Sequence, residues 1–274
     1  MTQESLFMRV CRQTAWLLCC CAIMAASVSC VTHADSGPPP VETLQSGDFI
    51  WPKKPDAIIP YALPEGTRAM DQTVWETERD AYIESLMSSQ SLTEDEKRRI
   101  ELLGTMSYES FMRIYMEDVP SDEEMARGVS AGVGHVAIVR KVDGEPATIM
   151  EALWDIGVRE IPYEQWKAER EGQIFWHGRL GNLHPARRAA VAGLASREVG
   201  KPYDFWNFNL EDDTGFYCSK LAWLMIRNAT GLVVDDNPDP QRILWYSPKQ
   251  LLKSPHIKLL QNPGGYGLPS VRTE

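Results

Sequence analysis

The chain has 274 residues, of which 43% are hydrophobic and 24% charged, so it can bury a sizeable core like an ordinary globular protein. These proportions exclude a disordered or fibrous protein. Its 28 Lys and Arg against 38 Asp and Glu give a net charge of −10, which argues against nucleic acid as a partner and against a broad electrostatic grip on anionic lipid.

The N-terminus has the pattern of an export signal. Arg9 and Arg12 precede an apolar run from Ala15 to Val31, which is at the lower limit for a membrane span. Small residues before Ala34 favour cleavage there, which would make residues 1–34 a signal peptide. Cys30 offers the alternative of lipid attachment, as in a bacterial lipoprotein, and an uncleaved anchor is the third possibility.

The signal predicts an extracytoplasmic location, most simply a bacterial periplasm, with a possible membrane tether through the N-terminus. Five of the six cysteines lie at or before Cys30, which leaves Cys218 alone in the rest of the chain. No intrachain disulfide can therefore hold the folded part together.

Residues 35–46 form a polar, proline-containing leader that we expect to be extended. The remainder of the chain, residues 47–274, begins with a predicted buried strand, Gly47 to Trp51, ended by Pro52. From about residue 68 to 127, near-helical apolar spacing and a capping-box start at Thr93 predict an acidic helical insertion. It could cover a cleft as a lid or pack against the sheet.

After Gly134 the pattern changes to strands. His135–Lys141 and Ala147–Leu153, separated by Asp143-Gly144, predict a hairpin. The elements expected after the hairpin are a strand Gln173–Arg179, a helix Pro185–Val199, an aromatic and acidic loop Tyr203–Phe216, a helix Cys218–Thr230, a helix Pro248–Leu252 and a strand Ile257–Leu260.

Cys218 is the candidate nucleophile. It lies at the predicted first turn of a helix, where free N–H groups and the macrodipole favour the thiolate. The alternative is a buried structural cysteine, which residue type alone favours; the position at a helix start brings the two interpretations near parity. A thiol also needs a base, and His135, which opens the most apolar strand, is the best placed histidine. Of the other histidines, His177 follows a strand, His184 precedes a helix and His256 lies in the tail.

The length of the hairpin turn decides which residue faces His135. A three-residue turn over 142–144 would place Glu151 opposite His135, where a carboxylate could orient the imidazole. A two-residue turn would place Ala152 there and direct Glu151 away. The sequence leaves this choice open.

Five short motifs in a constant order connect these residues to a known family. They are GDFI from Gly47, GHVAIV from Gly134, the acid Glu151, GKPYDF from Gly200 and YCSKL from Tyr217. Together they resemble the YiiX/YebB-like cysteine hydrolases, a circularly permuted branch of the NlpC-type, papain-like superfamily that includes relatives of lecithin retinol acyltransferase. The resemblance covers about residues 47–260 apart from the insertion.

The resemblance implies a papain-like α+β core, with an antiparallel sheet packed on helices and the histidine preceding the cysteine in sequence. By that resemblance Cys218 is the nucleophile, His135 the general base and Glu151 the orienting residue. Tyr217 and Asp48 are candidates for an auxiliary polar contact near the oxyanion. The aromatic candidates for a substrate groove are Tyr203, Phe205, Trp206 and Phe216, although aromatics at this density more often belong to a core.

The predicted function is an exported thiol hydrolase that cleaves an amide bond in a peptide or peptidoglycan fragment through an acyl-enzyme. A lipid deacylase or acyltransferase, acting for example on a lipid amide, and a non-catalytic scaffold are the alternatives. No metal-ligand spacing or cofactor motif occurs, so no metal and no cofactor are expected. The oligomeric state is left open.

Overall fold

The computed structural model describes residues 37–53, 71–115 and 134–263. The predicted signal peptide, including Cys30, lies outside these ranges, as do both ends of the predicted insertion. Within the described ranges, no helix combines the length and the hydropathy needed to cross a bilayer.

A six-stranded antiparallel sheet forms the centre of the fold, with the strand order β4-β3-β2-β1-β5-β6. The strands are β1 (Asp48–Lys53), β2 (Ala137–Arg140), β3 (Thr148–Leu153), β4 (Gly157–Pro162), β5 (Ile174–Leu180) and β6 (Ile257–Gln261). Because β1 is central and is followed in the sheet by strands from much later in the chain, residues distant in sequence become neighbours.

Helices cover the sheet, and the predicted α+β class is confirmed. In the described residues they are α1 (Gln72–Met87), α2 (Glu94–Thr105), α3 (Tyr108–Tyr115), α4 (Tyr163–Ala168), α5 (Pro185–Arg197), α6 (Cys218–Thr230) and α7 (Pro248–Leu252). The larger hydrophobic cluster includes α5 and α6 on one face of the sheet, and a smaller cluster includes α4 on the other.

Helix α6 has the bounds that the sequence predicted. It ends at Gly231, whose φ of 72° lies in the left-handed region that favours glycine. Its residues from Cys218 to Ile226 are all buried. The helix therefore lies deep in the larger cluster, and its first residue is held rigidly.

Strand β1 continues past Pro52, which the sequence predicted would end it. β2 pairs with β1 only at Phe49 and Ile50, so Pro52 lies beyond that ladder. Pro52 pairs with Phe175 of β5 alone. Proline has no backbone N–H to donate, and on the side of β2 no strand of the described residues needs one from this position.

Strand β4 and helix α4 were not predicted. β4 carries Arg159 and Glu160, whose charges obscure a strand pattern, and both charges find partners only in the folded chain: Arg159 on Glu151, and Glu160 on Thr148 and Ser196. Tertiary contacts therefore override the local signal at this edge of the sheet.

The leader is less extended than expected, because a 3-10 turn occupies Val41–Thr43. It is nevertheless tied to the domain. Gln261 donates a hydrogen bond to the carbonyl of Gly37 at 2.6 Å, Lys141 donates to that of Val41 at 2.8 Å, and Leu44 is buried in the smaller cluster.

The helical insertion packs through aromatic rings against the loop that precedes α6. Trp75 of α1 stacks on Phe111 of α3 at 5.1 Å, and Phe111 in turn meets Phe205 at 5.9 Å and Trp245 at 5.2 Å. Of the two predicted roles, packing agrees with these contacts, but the contacts run to loops and not to the sheet.

Arg99 of α2 holds the same insertion by hydrogen bonds. Its guanidinium donates to the carbonyl of Ile243 at 3.0 Å, to that of Arg242 at 2.6 Å and to the hydroxyl of Tyr82 at 3.1 Å. It also lies over the ring of Phe208 at 4.4 Å. Since Arg99 is only 5% exposed, these bonds are shielded from water.

We predict that Phe111→Ala lowers the free energy of unfolding by about 3–5 kcal/mol, because it empties a fully buried site between the insertion and the domain. Chemical denaturation of the full chain measures the loss. Met87→Ala is the matched control, since Met87 is 66% exposed on α1 and its loss should be small. Equal, small effects of both variants would show that the insertion contributes little to the core.

Candidate active site

Cys218 begins α6 and is 3% exposed. Burial raises the pKa of its thiol, but the charge of His135, a hydrogen bond with that ring and the backbone N–H groups of Val136 and Ser219 outweigh burial and bring the pKa below its ordinary value. Its surroundings therefore favour the thiolate.

His135 lies two residues before β2 and contacts both other members of the predicted group. Its Nε2 is 2.8 Å from Oε2 of Glu151, and the ring shares a hydrogen bond with Cys218. Burial lowers the pKa of the imidazole, while the charges and hydrogen bonds of Cys218 and Glu151 raise it, and the net pKa is above the ordinary value. Each of the two groups thus stabilises the charged form of the other.

Both registers considered for the hairpin were wrong, although His135 and Glu151 do meet. β2 pairs with β3 through Ile138↔Met150, and the connection is longer than either predicted turn. Continued back to His135, this register sets it opposite Leu153, two residues from Glu151. Because strand side chains alternate with a period of two, the even displacement keeps the two side chains on one face.

Glu151 is fully buried and its carboxylate contacts five nitrogens. Oε2 receives the indole N–H of Trp166 at 2.9 Å and Nη2 of Arg170 at 2.6 Å in addition to His135, and Oε1 receives Nε and Nη2 of Arg159 at 3.0 and 2.7 Å. Burial raises the pKa of this carboxyl, but Arg170, His135 and Arg159 hold it far below its usual range.

The sequence did not reveal Trp166, Arg159 and Arg170 as members of the site. Trp166 and Arg170 are four residues apart, a spacing at which side chains meet on a helix, and the Arg170 guanidinium lies 4.4 Å from the centre of the Trp166 ring. That local pair was detectable. Their joint contact with Glu151 was not, because it depends on how α4 and β4 pack.

Tyr203 is the groove candidate that the structure brings close to Cys218. It is half-buried, and its ring meets that of Trp154 edge-on at 5.5 Å. Burial and the nearby charge of Cys218 both raise the pKa of its phenol, which therefore remains protonated.

The other aromatic candidates belong to the packing of the domain. Phe205 and Phe216 are 2% and 0% exposed, and Phe205 stacks on Trp245 at 4.8 Å, so the prediction that these two line a groove is wrong. Trp206 is half-buried and stacks on Tyr82 of the insertion at 5.2 Å.

Asp48 lies away from the cysteine, contrary to its predicted auxiliary role. It begins β1, and the pairing Phe49↔Ile138 sets it beside the far end of β2 from His135. Its buried carboxylate accepts hydrogen bonds from Arg179 at 2.5 and 2.7 Å and lies 2.9 Å from Nε2 of His177. These contacts join β1 to β5 and assign Asp48 to the sheet.

Tyr217, the other auxiliary candidate, is adjacent to Cys218 in sequence but is fully buried. Its hydroxyl accepts a hydrogen bond from the backbone N–H of Tyr246 at 3.2 Å, and its ring packs edge-on against Phe205 at 6.1 Å. These contacts hold the segment before α7 against the start of α6. They assign the Tyr217 side chain to the packing of the domain and not to the oxyanion.

A helix that begins at a buried cysteine, packed on an antiparallel sheet whose strand end carries the histidine, is the architecture of the papain-like cysteine hydrolases. A model of the family described as permuted papain-like amidase enzymes, YaeF/YiiX, C92 family, matches residues 122–261, about half of the chain. The chain belongs to this family, and the resemblance seen in the sequence is confirmed.

Among the proteins similar to this chain are a relative of known sequence and a solved structure. The uncharacterized protein YiiX of Escherichia coli K12 is 36% identical over 80 residues, which cover 29% of this chain and 39% of YiiX, so the match spans well under two thirds of that relative. The crystal structure of the metalloprotein YiiX from Escherichia coli O157:H7 aligns with a TM-score of 0.42 and 18% identity, over 80% of this chain and 97% of that one. In the described part of this chain, no group of three or more His, Cys, Asp or Glu side chains is arranged to hold a metal ion.

We predict that Glu151→Gln destabilises the fold by about 3–5 kcal/mol at neutral pH, because it deprives the buried guanidinium of Arg170 and the partly buried one of Arg159 of this carboxylate. The folded pKa of Glu151 lies below its unfolded value, so its contribution is fully present above the unfolded pKa, about 4.3, and is lost as the pH falls further. Denaturation of both proteins from neutral to acid pH should show their difference shrinking.

Glu164→Gln is the control, because Glu164 is 72% exposed and pairs only with Lys167 on the surface of α4. That variant should unfold like the unmodified chain at every pH. A Glu151→Gln deficit that persists unchanged into acid would contradict the ionised state of Glu151.

Proposed function

We propose that the chain is a cysteine hydrolase that cleaves an amide bond through Cys218, His135 and Glu151. The observation that carries the proposal is the continuous hydrogen-bonded series from the Cys218 thiol through the His135 ring to the Glu151 carboxylate. Membership of the permuted papain-like amidase family supports the same chemistry.

In the proposed reaction, the Cys218 thiolate attacks the carbonyl carbon of the substrate, and the tetrahedral intermediate carries the negative charge on the former carbonyl oxygen. His135 gives its proton to the leaving amine as the carbon–nitrogen bond breaks, which leaves an acyl-enzyme. His135 then takes a proton from water, whose oxygen attacks the thioester, and keeps that proton as the carbon–sulfur bond breaks and the sulfur leaves as the thiolate.

The backbone N–H of Cys218, at the start of α6, is the proposed first donor to the oxyanion. Tyr203 is the proposed second donor, because its phenol is close to the sulfur and remains protonated. Glu151 keeps the imidazole in the orientation that serves both steps.

The proposed substrate is a peptide or a peptidoglycan fragment. The export pattern from Arg9 to Val31 supports this choice, since it would deliver the enzyme to the compartment that holds such material. In this proposal the protein works outside the cytoplasm, either free after cleavage at Ala34 or tethered through Cys30.

A lipid amide or ester is the second candidate substrate, and a specific surface favours it. Ile156 and Val199 are 42% and 45% exposed on the two loops that carry Trp154 and Tyr203. The backbone N–H of Gly200 donates to the carbonyl of Val158, and that of Val158 donates to the carbonyl of Lys201, which holds the two segments together. Exposed apolar side chains on these loops would suit an acyl chain.

We predict that Cys218→Ala abolishes hydrolysis and that His135→Ala reduces it by about 10²–10⁴-fold, since general acid–base catalysis contributes on that scale. Alkylation of Cys218 by iodoacetamide should persist in mildly acidic solution and should require more alkaline solution in His135→Ala, because the imidazolium no longer stabilises the thiolate. His256→Ala, which removes an exposed histidine paired with Asp236, should leave both measurements unchanged. Full activity of Cys218→Ala would exclude the mechanism.

The two substrate classes are separated by measuring peptide release from purified sacculi and fatty acid release from phospholipid vesicles with the same preparation. We expect peptide release that disappears in Cys218→Ala. Cysteine-dependent release of fatty acid alone would transfer the proposal to the lipid. If neither product forms although Cys218 alkylates as a His135-dependent thiolate, both substrate classes are wrong.

A further inference from the structure

We propose that Arg159 and Glu169 are positioning residues that control how strongly the negative charge of Glu151 stabilises the imidazolium of His135. They thereby determine the pH range over which the imidazolium persists. This inference rests on the proposed roles of Cys218 and His135. It adds two residues that neither the motifs nor the family description assigns.

Arg159 and the imidazole hold opposite oxygens of one carboxylate. Nε2 of His135 contacts Oε2 of Glu151 at 2.8 Å, and Arg159 contacts Oε1 through Nε and Nη2 at 3.0 and 2.7 Å. The Arg159 guanidinium then donates to the carboxylate of Glu169, which follows α4. The result is a series of alternating charges, His135, Glu151, Arg159 and Glu169, that leads from the site toward the surface.

The other charged groups that face this series are Arg170, Cys218 and Tyr203. Arg170 is bonded to Oε2 of Glu151 at 2.6 Å and lies 3.6 Å from Glu169, Cys218 shares a hydrogen bond with the imidazole, and the protonated phenol of Tyr203 is within electrostatic reach of Cys218. Trp166 contributes only a neutral N–H donor.

These charges balance without the histidine. Arg159 and Arg170 carry two positive charges, and Glu151 and Glu169 carry two negative ones, so the four groups are neutral together. The imidazolium is therefore balanced mainly by the Cys218 thiolate, and Glu151 acts more as an orienting acceptor than as a counter-ion. Removing either outer group would disturb this balance, and the two removals would act with opposite sign.

The outer pair is also the part of the series that can be altered without dismantling it. The side chains of Arg159 and Glu169 are 16% and 20% exposed, whereas those of Arg170 and Glu151 are 1% and 0% exposed. Substitution of the outer pair leaves Glu151 bonded to Arg170, Trp166 and His135.

The test compares Arg159→Gln with Glu169→Gln in the full chain, with histidine labelling and NMR titration of the His135 ring. Loss of Arg159 removes a positive charge that compensates Glu151, so the imidazolium should persist to higher pH. Losing Glu169 leaves Arg159 unbalanced, so the imidazolium should be lost at lower pH. We expect the ratio of charged to neutral imidazole at a fixed pH to change about threefold in each direction.

Two further variants separate charge from packing. Arg159→Lys keeps the positive charge and should titrate like the unmodified chain, and the double variant Arg159→Gln/Glu169→Gln should return close to it. Arg140→Gln is the matched control, because Arg140 pairs with Glu160 at 3.4 Å. Glu160 follows Arg159 in β4, so its side chain lies on the opposite face of the sheet. The control variant should shift nothing.

Shifts of the same sign in the two single variants, or no shift in either, would overturn this inference. The proposed function fails in a different way, namely if Cys218→Ala leaves the titration of His135 unchanged and iodoacetamide does not detect a His135-dependent thiolate. Opposite shifts together with an uncoupled cysteine would keep the inference about Arg159 and Glu169 and reject the mechanism.

Discussion

The fold is organised around one buried carboxylate. Glu151 has no exposed surface, and a charge in that position is tolerated only because β4, α4 and the segment before β2 all direct donors at it. Two guanidinium groups compensate the charge, and the imidazole and the indole complete the hydrogen bonding. Any packing error in these elements would leave a charge unpaired in the interior, so the carboxylate requires one arrangement of the sheet edge.

His135 contacts residues that belong to both faces of the sheet. Glu151 projects to the face of the smaller cluster, next to Trp166, while Cys218 belongs to the larger cluster with α6. The imidazole, at the end of β2, touches both. A rigid sheet and a deeply buried helix can therefore hold an ionisable pair in place.

The segments outside the papain-like core are attached to it by different interactions. The insertion is held by stacked aromatic rings and by the buried guanidinium of Arg99, and the leader by backbone carbonyls that accept side-chain hydrogen bonds. The aromatic contacts of the insertion run to Trp245 and to the loop between Tyr203 and Phe208, which precedes the proposed nucleophile in sequence. Phe205 is therefore a structural link between the insertion and α6.

The sequence by itself determined the elements with strong local signals and the identity of three residues of the site. Helix α6, with its glycine stop, and most strands follow from short-range pattern, and the ordered motifs indicate Cys218, His135 and Glu151. Only the tertiary structure decided the hairpin register, the course of β1 through Pro52, the burial of Phe205 and Phe216, and the partners of Asp48 and Glu151. Pairings such as Arg159 with Glu151 depend on which strands become neighbours, and that is set by packing energy summed over the whole sheet, which no local window of sequence contains.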